Sequence, residues 1–197
     1  MRKTGSLFFA SCSSVTWRRD GEAAPRERPA PRRVDTAYLR RAALYYLERY
    51  SVPEAQLRRV LQRKIDRSCR HHDLDPLEFS AAVDEIVASC VASGLVDDRR
   101  FAEARAQSLR RKGRSARAVA AGLAAKGVGR ELVAEMVVPD EDADLTAARI
   151  AARRKRLGPW SRGDRAAQRQ KDIATLARAG FSLTIARTVI DGAGEGV

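Results

Sequence analysis

The side chains able to do chemistry fall in three places. Cys69, His71, His72, Asp73 and Asp75 lie within seven residues of one another, and thiolate, imidazole and carboxylate are all metal ligands. A structural zinc site takes four such ligands at recurring spacing. No second ligand pair stands elsewhere in the chain, so this run reads as a solvated loop and no metal site is expected. The chain has no GxxxxGK[ST], GxGxxG, HExxH or GxSxG, the patterns that cradle phosphate, hold zinc or present a nucleophile. Gly122 to Gly127 is not a phosphate loop, because Lys126 precedes the glycine that ends a helix. Without a nucleophile–base or metal set, the sequence predicts a protein that is not an enzyme and carries no cofactor.

The other two places are cationic. Residues 95–126 hold nine Lys/Arg and three acids, and residues 151–180 hold nine Lys/Arg and two acids. The first cluster centres on Arg110, Arg111, Lys112, Arg114 and Arg117. The second centres on Arg153, Arg154 and Lys155. Each falls at the end of a helix, where cations complement the negative pole of the helix dipole. Their recurrence at equivalent places would also lay a basic stripe along one surface. Such a stripe suits a long polyanion or a filament, through salt-sensitive contacts. These eight residues are the candidate binding set.

The whole chain agrees with that charge. It has 197 residues, 38 Lys/Arg against 25 Asp/Glu, and a formal net charge of +13. A balance so basic points to a polyanionic partner: nucleic acid, a nucleoprotein or an anionic membrane. No apolar run approaches a membrane span, so no membrane association is expected. Cys12, Cys69 and Cys90 form no CxxC pair, which fits a reducing cytoplasm. Arg2-Lys3 before Leu7-Phe8-Phe9-Ala10-Ser11-Cys12 faintly resembles a lipoprotein leader. Its apolar run is shorter than the ~7–15 residues such a leader needs, and export is not expected.

Hydrophobic residues make up 44% of the chain and aromatics 6%. Ala, Leu, Arg and Glu are good helix formers, and strand-like runs of β-branched and aromatic residues are absent. The expected fold is all-α. Residues 1–34 carry eight Lys/Arg, three acids and Pro25, Pro29 and Pro31; they read as a basic disordered tail, and residues 192–197 as a disordered C-terminus. Between them, apolar residues at helical spacing and local stop signals mark nine helices. The first covers Thr36 to Tyr50, with Tyr38, Leu39, Ala42, Tyr45 and Tyr46 inward. Ser51 is expected to cap the second, with Pro53 in its first turn. Arg67 to Asp75 is polar and irregular. The third runs from near Pro76 to Gly94.

Asp97 or Asp98 then caps a helix over 97–112, with Phe101, Ala104, Ser108 and Leu109 inward. Ser115 caps a helix ending at Gly127, and a short helix follows over 129–138. Helices over 141–157 and 164–179, and one starting at Ser182, complete the chain. They form three triplets, at 35–94, 95–139 and 140–191. Leu123-Ala-Ala-Lys-Gly127-Val128-Gly129 matches Leu176-Ala-Arg-Ala-Gly180-Phe181-Ser182 at an offset of 53 residues. The first triplet is looser, with an insertion at Lys64–Asp75. Tandem triplets imply an elongated, curved array in which each unit meets mainly its neighbours.

Gly94-Leu-Val-Asp-Asp-Arg-Arg-Phe-Ala102, followed by Arg110-Arg-Lys-Gly113 and Leu123-Ala-Ala-Lys-Gly127-Val128, resembles the central repeat of the RecX family. Leu176-Ala-Arg-Ala-Gly-Phe-Ser-Leu-Thr-Ile-Ala-Arg-Thr-Val-Ile190 looks like that family's C-terminal signature, and the resemblance covers roughly residues 36–191. It implies three tandem three-helix repeats in a cytoplasmic, monomeric regulator. That regulator binds the RecA recombinase filament on DNA and suppresses its strand-exchange, ATPase and co-protease activities, and so modulates DNA repair and the SOS response. The resemblance carries no catalytic residues. The residues alone leave a second reading open, an independent DNA-binding protein of helix-turn-helix type, with direct contact to single- or double-stranded DNA. Against it, the helix over 129–138 carries Glu131 and Glu135 where a recognition helix would read bases.

Overall fold

The structure, a computed structural model, describes residues 30–193. Every regular element among them is helical: α1 (Thr36–Leu47), α2 (Glu54–His72), α3 (Ser80–Ala92), α4 (Asp98–Arg111), α5 (Ala116–Ala124), α6 (Arg130–Met136), α7 (Glu141–Lys155), α8 (Arg165–Arg178) and α9 (Leu183–Asp191), with short 3₁₀ turns at Pro76–Phe79 and Gly158–Trp160. The all-α expectation holds. The leader-like run with Cys12, and most of the basic tail, lie outside the described residues.

Most helices start where the sequence carries an oxygen-bearing cap. Asp35, Asp97, Ser115, Asp140, Asp164 and Ser182 each accept a hydrogen bond from a backbone N–H in the first turn that follows. Each such cap stabilises its helix by about 1 kcal/mol. Each triplet then closes over its own apolar cluster. Leu39, Leu57, Leu61, Ile65, Ile86 and Val87 lead the first, Ala102, Val119, Leu123 and Val128 the second, and Ile173, Leu176, Phe181 and Ile190 the third. Burying one Leu or Ile side chain is worth roughly 1.5–3 kcal/mol. In α7 the buried residues are Ala147, Ala148, Ala151 and Ala152, which let neighbouring backbones approach closely. Asp172 is buried in the third triplet, where it accepts a hydrogen bond from Gly158 N at 2.8 Å and holds the turn that carries Trp160.

Several local expectations are corrected. The run from Arg67 to His72 is not irregular: α2 continues through it and buries Ser68 and Cys69. The helix stops at Asp73, which adopts φ +53. Ser68 Oγ accepts from Val34 N and donates to the Arg32 carbonyl, both at 2.9 Å. His72 Nε2 lies 2.8 Å from the Pro31 carbonyl. Residues 31–34, grouped with the tail from sequence, are therefore pinned to the end of α2, and Val34 is buried. The residues read as an insertion lengthen a helix and give the incoming chain its anchor.

Ser51 caps nothing. The residue preceding α2 is Pro53, which has no side-chain cap to offer. Tyr45 turns outward, 56% exposed, because Leu39 and Ala43 fill the inward face of α1. In α4 it is Ala102, not Ala104, that is fully buried.

Candidate functional site

The two basic clusters are linked by how consecutive triplets join. Where the second triplet meets the first, Glu54 N, at the uncapped start of α2, donates to Asp98 Oδ1 at 2.8 Å. Asp98 follows the residue that caps α4, so two adjacent aspartates serve two different helices. Arg59 of α2 donates to the Lys126 carbonyl at the end of α5. Gly127, which closes α5 at φ +92, lies so near that an added Cβ would sit 2.6 Å from Ala55 Cβ.

The second junction repeats the arrangement. Ala116 N donates to Asp144 Oδ1 at 2.9 Å, and Ser115 Oγ donates to the Ala179 carbonyl at 2.8 Å. Gly180, at φ +94, lies so near that its Cβ would stand 2.6 Å from Ser115 Oγ. In both junctions the closing glycine of one middle helix meets the start of the middle helix before it. Negative helix end meets positive helix start, so the dipoles run head to tail.

This joint absorbs two of the candidate binding residues. Arg110 pairs with Asp144, and both side chains are largely withdrawn from solvent, 25% and 17% exposed. Arg154 donates through Nη1 to the Lys112 carbonyl at 3.0 Å. Arg110 and Arg154 thus fasten the second and third triplets together. Arg111, Lys112, Arg114, Arg117, Arg153 and Lys155 are exposed, and none has an ion pair among the described residues.

The junction also draws the two clusters into one place. Lys112, Arg114, Arg154 and Lys155 line a groove of about 400 Å³, floored by Gly113, Ala151 and Ala179. Arg117 and Arg178 flank an adjoining groove of about 370 Å³ that shares Ala179 as a wall. No acidic side chain lines either. Arg111 and Arg153 stand outside both linings. Arg178 is absent from the candidate set because it stands alone before Gly180; its position at the end of α8 was the available signal.

Physical chemistry explains how six cations can crowd here. The ends of α4, α7 and α8 all contribute to the first groove, through Lys112, Lys155 and Ala179. Their carbonyl ends carry partial negative charge that offsets repulsion among the cations. Gly113, at φ +72, permits the approach: a Cβ there would meet Ala151 N at 2.8 Å and Ala147 O at 2.9 Å. The result is an open cationic trough with small side chains at its base, suited to a row of negative charges.

The remaining candidates hold no reactive arrangement. The rings of His71 and His72 stand edge to face at 4.8 Å. No group of three or more metal-ligating residues exists among the described residues. Burial pushes the thiols of Cys69 and Cys90 up from their usual range, which disfavours the reactive thiolate. No described helix is long and apolar enough to cross a membrane. Trp160 packs against the third core.

Comparison with known proteins adds the following. Residues 97–137 match the family model described as RecX, second three-helix domain. Regulatory protein RecX of Myxococcus xanthus (strain DK1622) is 47% identical over 165 residues, spanning 82% of this chain and 88% of that protein. Regulatory protein RecX of Agrobacterium fabrum (strain C58 / ATCC 33970) is 34% identical over 172 residues, spanning 87% and 90%. The crystal structure of RecX from Lactobacillus salivarius superposes with a TM-score of 0.61 at 17% identity, covering 80% of this chain and 96% of that one. At that identity the likeness speaks for the fold.

Proposed function

The chain belongs to the RecX family, and on that footing we propose that it is a regulatory protein that binds RecA filaments assembled on DNA and restrains their recombinase, ATPase and co-protease activities. The observation that carries the reading is the convergence of two clusters, some forty residues apart in sequence, on one groove without acids. Lys112, Arg114 and Lys155 supply its free charge, and Arg117 lines the adjoining groove. Arg111 and Arg153 extend the basic surface beside it. Arg110 and Arg154 set the spacing of the two halves through their bonds to Asp144 and the Lys112 carbonyl. The partner surface is a run of phosphates or acidic side chains, met by electrostatic contact. The protein acts as a monomer in the cytoplasm.

The test is DNA-dependent ATP hydrolysis by RecA. Wild-type protein lowers it at substoichiometric ratios in low salt, and no inhibition at equimolar protein would overturn the proposal. In the triple variant Arg111→Gln, Lys112→Gln, Arg114→Gln, inhibition is abolished while the melting temperature falls little, because these side chains hold no hydrogen-bond or ion-pair partner among the described residues. Affinity for the filament falls with salt at a log–log slope of about −0.9 per phosphate neutralised, and the variant's slope is shallower by about one for each phosphate it no longer neutralises. If the protein instead bound naked DNA as tightly as the filament and left hydrolysis untouched, it would be an independent DNA-binding protein.

A further inference from the structure

The first triplet leaves an apolar surface uncovered. Leu44, Tyr45 and Tyr50, on or just beyond α1, are 43%, 56% and 55% exposed, and Val91 and Leu95, at the end of α3, are 43% and 53% exposed. The core beneath is already filled by Leu39, Ala43, Ile86, Val87 and Cys90, so folding does not require these side chains to be apolar. Solvent-facing positions within a helix are ordinarily polar, and exposed apolar clusters on soluble proteins mark contact sites. Leu44 and Leu95 both line a groove of about 130 Å³ between α1 and α3, over the buried Ile86 and Cys90. It has room for one large apolar side chain.

The charge around the groove selects what enters it. No acid lines it, and Arg40 stands at its edge, close enough for its charge to bear on the Cys90 thiol. Arg41 and Arg49 are exposed on the same helix and its end, and the Arg49 guanidinium lies over the Tyr45 ring, 4.5 Å from its centre. Tyrosine and arginine are enriched at interface anchor points, and Tyr45 and Arg49 stand beside the groove on the helix that carries Leu44 and at its end. Residues 1–29 of this chain do not match it, since they carry six Lys/Arg against three acids. A second copy matches it no better: two-fold pairing would bring the same net-positive surface, Arg40, Arg41 and Arg49 against Glu48, to the groove.

We propose that the groove between α1 and α3 docks an acidic amphipathic segment of a protein partner, seating one apolar side chain between Leu44 and Leu95 and a carboxylate against Arg40. The site is separate from the basic groove and does not depend on its assignment. It gives the first triplet a contact of its own, apolar at its centre and rimmed by charge.

The test uses the full chain and a fluorescein-labelled synthetic helical peptide of eighteen residues. The peptide carries leucine at every third or fourth position and glutamate elsewhere; a matched peptide carries lysine in place of glutamate. Fluorescence anisotropy is expected to show saturable binding of the acidic peptide and binding at least tenfold weaker for the basic one. The double variant Leu44→Glu, Leu95→Glu weakens the acidic peptide at least tenfold, and Arg40→Glu weakens it severalfold. Thermal melts stay unchanged, since all three side chains are outside the core. The pair Lys112→Glu, Lys155→Glu, in the other groove, leaves peptide binding within twofold. The proposal is overturned if the acidic peptide fails to bind, if the leucine variants bind it normally, or if the Lys112 and Lys155 changes reduce binding as much as the leucine changes do. A concentration-dependent dimer that Leu44→Glu abolishes would also overturn it and assign the face to a second copy. Neither RecA nor DNA is present, so the result is independent of the filament assay.

Discussion

Asp98 shows how one carboxylate can be both useful and uncomfortable. It accepts a hydrogen bond from Glu54 N, yet its pKa is raised, chiefly by burial, with that bond working in the opposite direction. A carboxyl whose native pKa lies above its unfolded value binds protons more tightly in the native state. Its contribution to stability therefore grows as pH falls through that raised pKa, and is complete below the ordinary carboxylate range. Asp98→Asn keeps the acceptor and removes the buried charge. Thermal melts across pH 4–7 are expected to show that variant at least as stable as wild type at neutral pH, with a flatter pH profile in the acid limb. Asp98→Ala removes the acceptor and is expected to cost about 1 kcal/mol. Glu135 and Asp191 behave oppositely. Their bonds to Arg99 and Arg169 hold their pKa values below the usual range, so what they contribute is present at neutral pH and lost on acidification.

Among the helices, the sequence announces starts and stops far better than partners. Asp97 and Ser115 are caps within their own helices, and local spacing is enough to find them. The start of α2 is not legible locally, because its acceptor, Asp98, lies 44 residues downstream; the nearest oxygen, on Ser51, is the natural and incorrect choice. The end of α2 is hidden too, because polar residues disguise a helix whose inward face there is only Ile65, Ser68 and Cys69. For the same reason the basic clusters are visible in the sequence, but the removal of Arg110 into a pair with Asp144 is not. The match between Gly127 and Gly180 is legible as a repeat, and the structure supplies its cause: both are left-handed and both touch the preceding triplet. Gly127→Ala and Gly180→Ala are therefore expected to cost more than the roughly 1–2 kcal/mol of a left-handed alanine, because contact is added to strain. Gly94→Ala, at φ +71 with nothing within 4 Å of its Cβ, is expected to cost the conformational part alone. Denaturant melts of the three variants check that order.

Taken as a whole chain, the three triplets are not equal in what they need from one another. The start of α2 depends on Asp98 from the second triplet, and the start of α5 on Asp144 from the third as well as on its own Ser115. The start of α8 is completed by Asp164, which accepts from both Ala166 N and Ala167 N. A fragment of residues 140–193 is accordingly expected to show cooperative thermal unfolding by circular dichroism, and a fragment of residues 31–94 a weaker, broader transition because the start of α2 is left bare. Equal cooperativity in the two fragments would count against that dependence. Synthesis on the ribosome then runs against the direction of dependence. The first triplet emerges from the exit tunnel ahead of the aspartate that completes it, and the second waits 28 residues, from Ala116 to Asp144, for its own. The nascent chain must hold an unfinished helix until its successor emerges, and each of the first two triplets is settled by the one translated next.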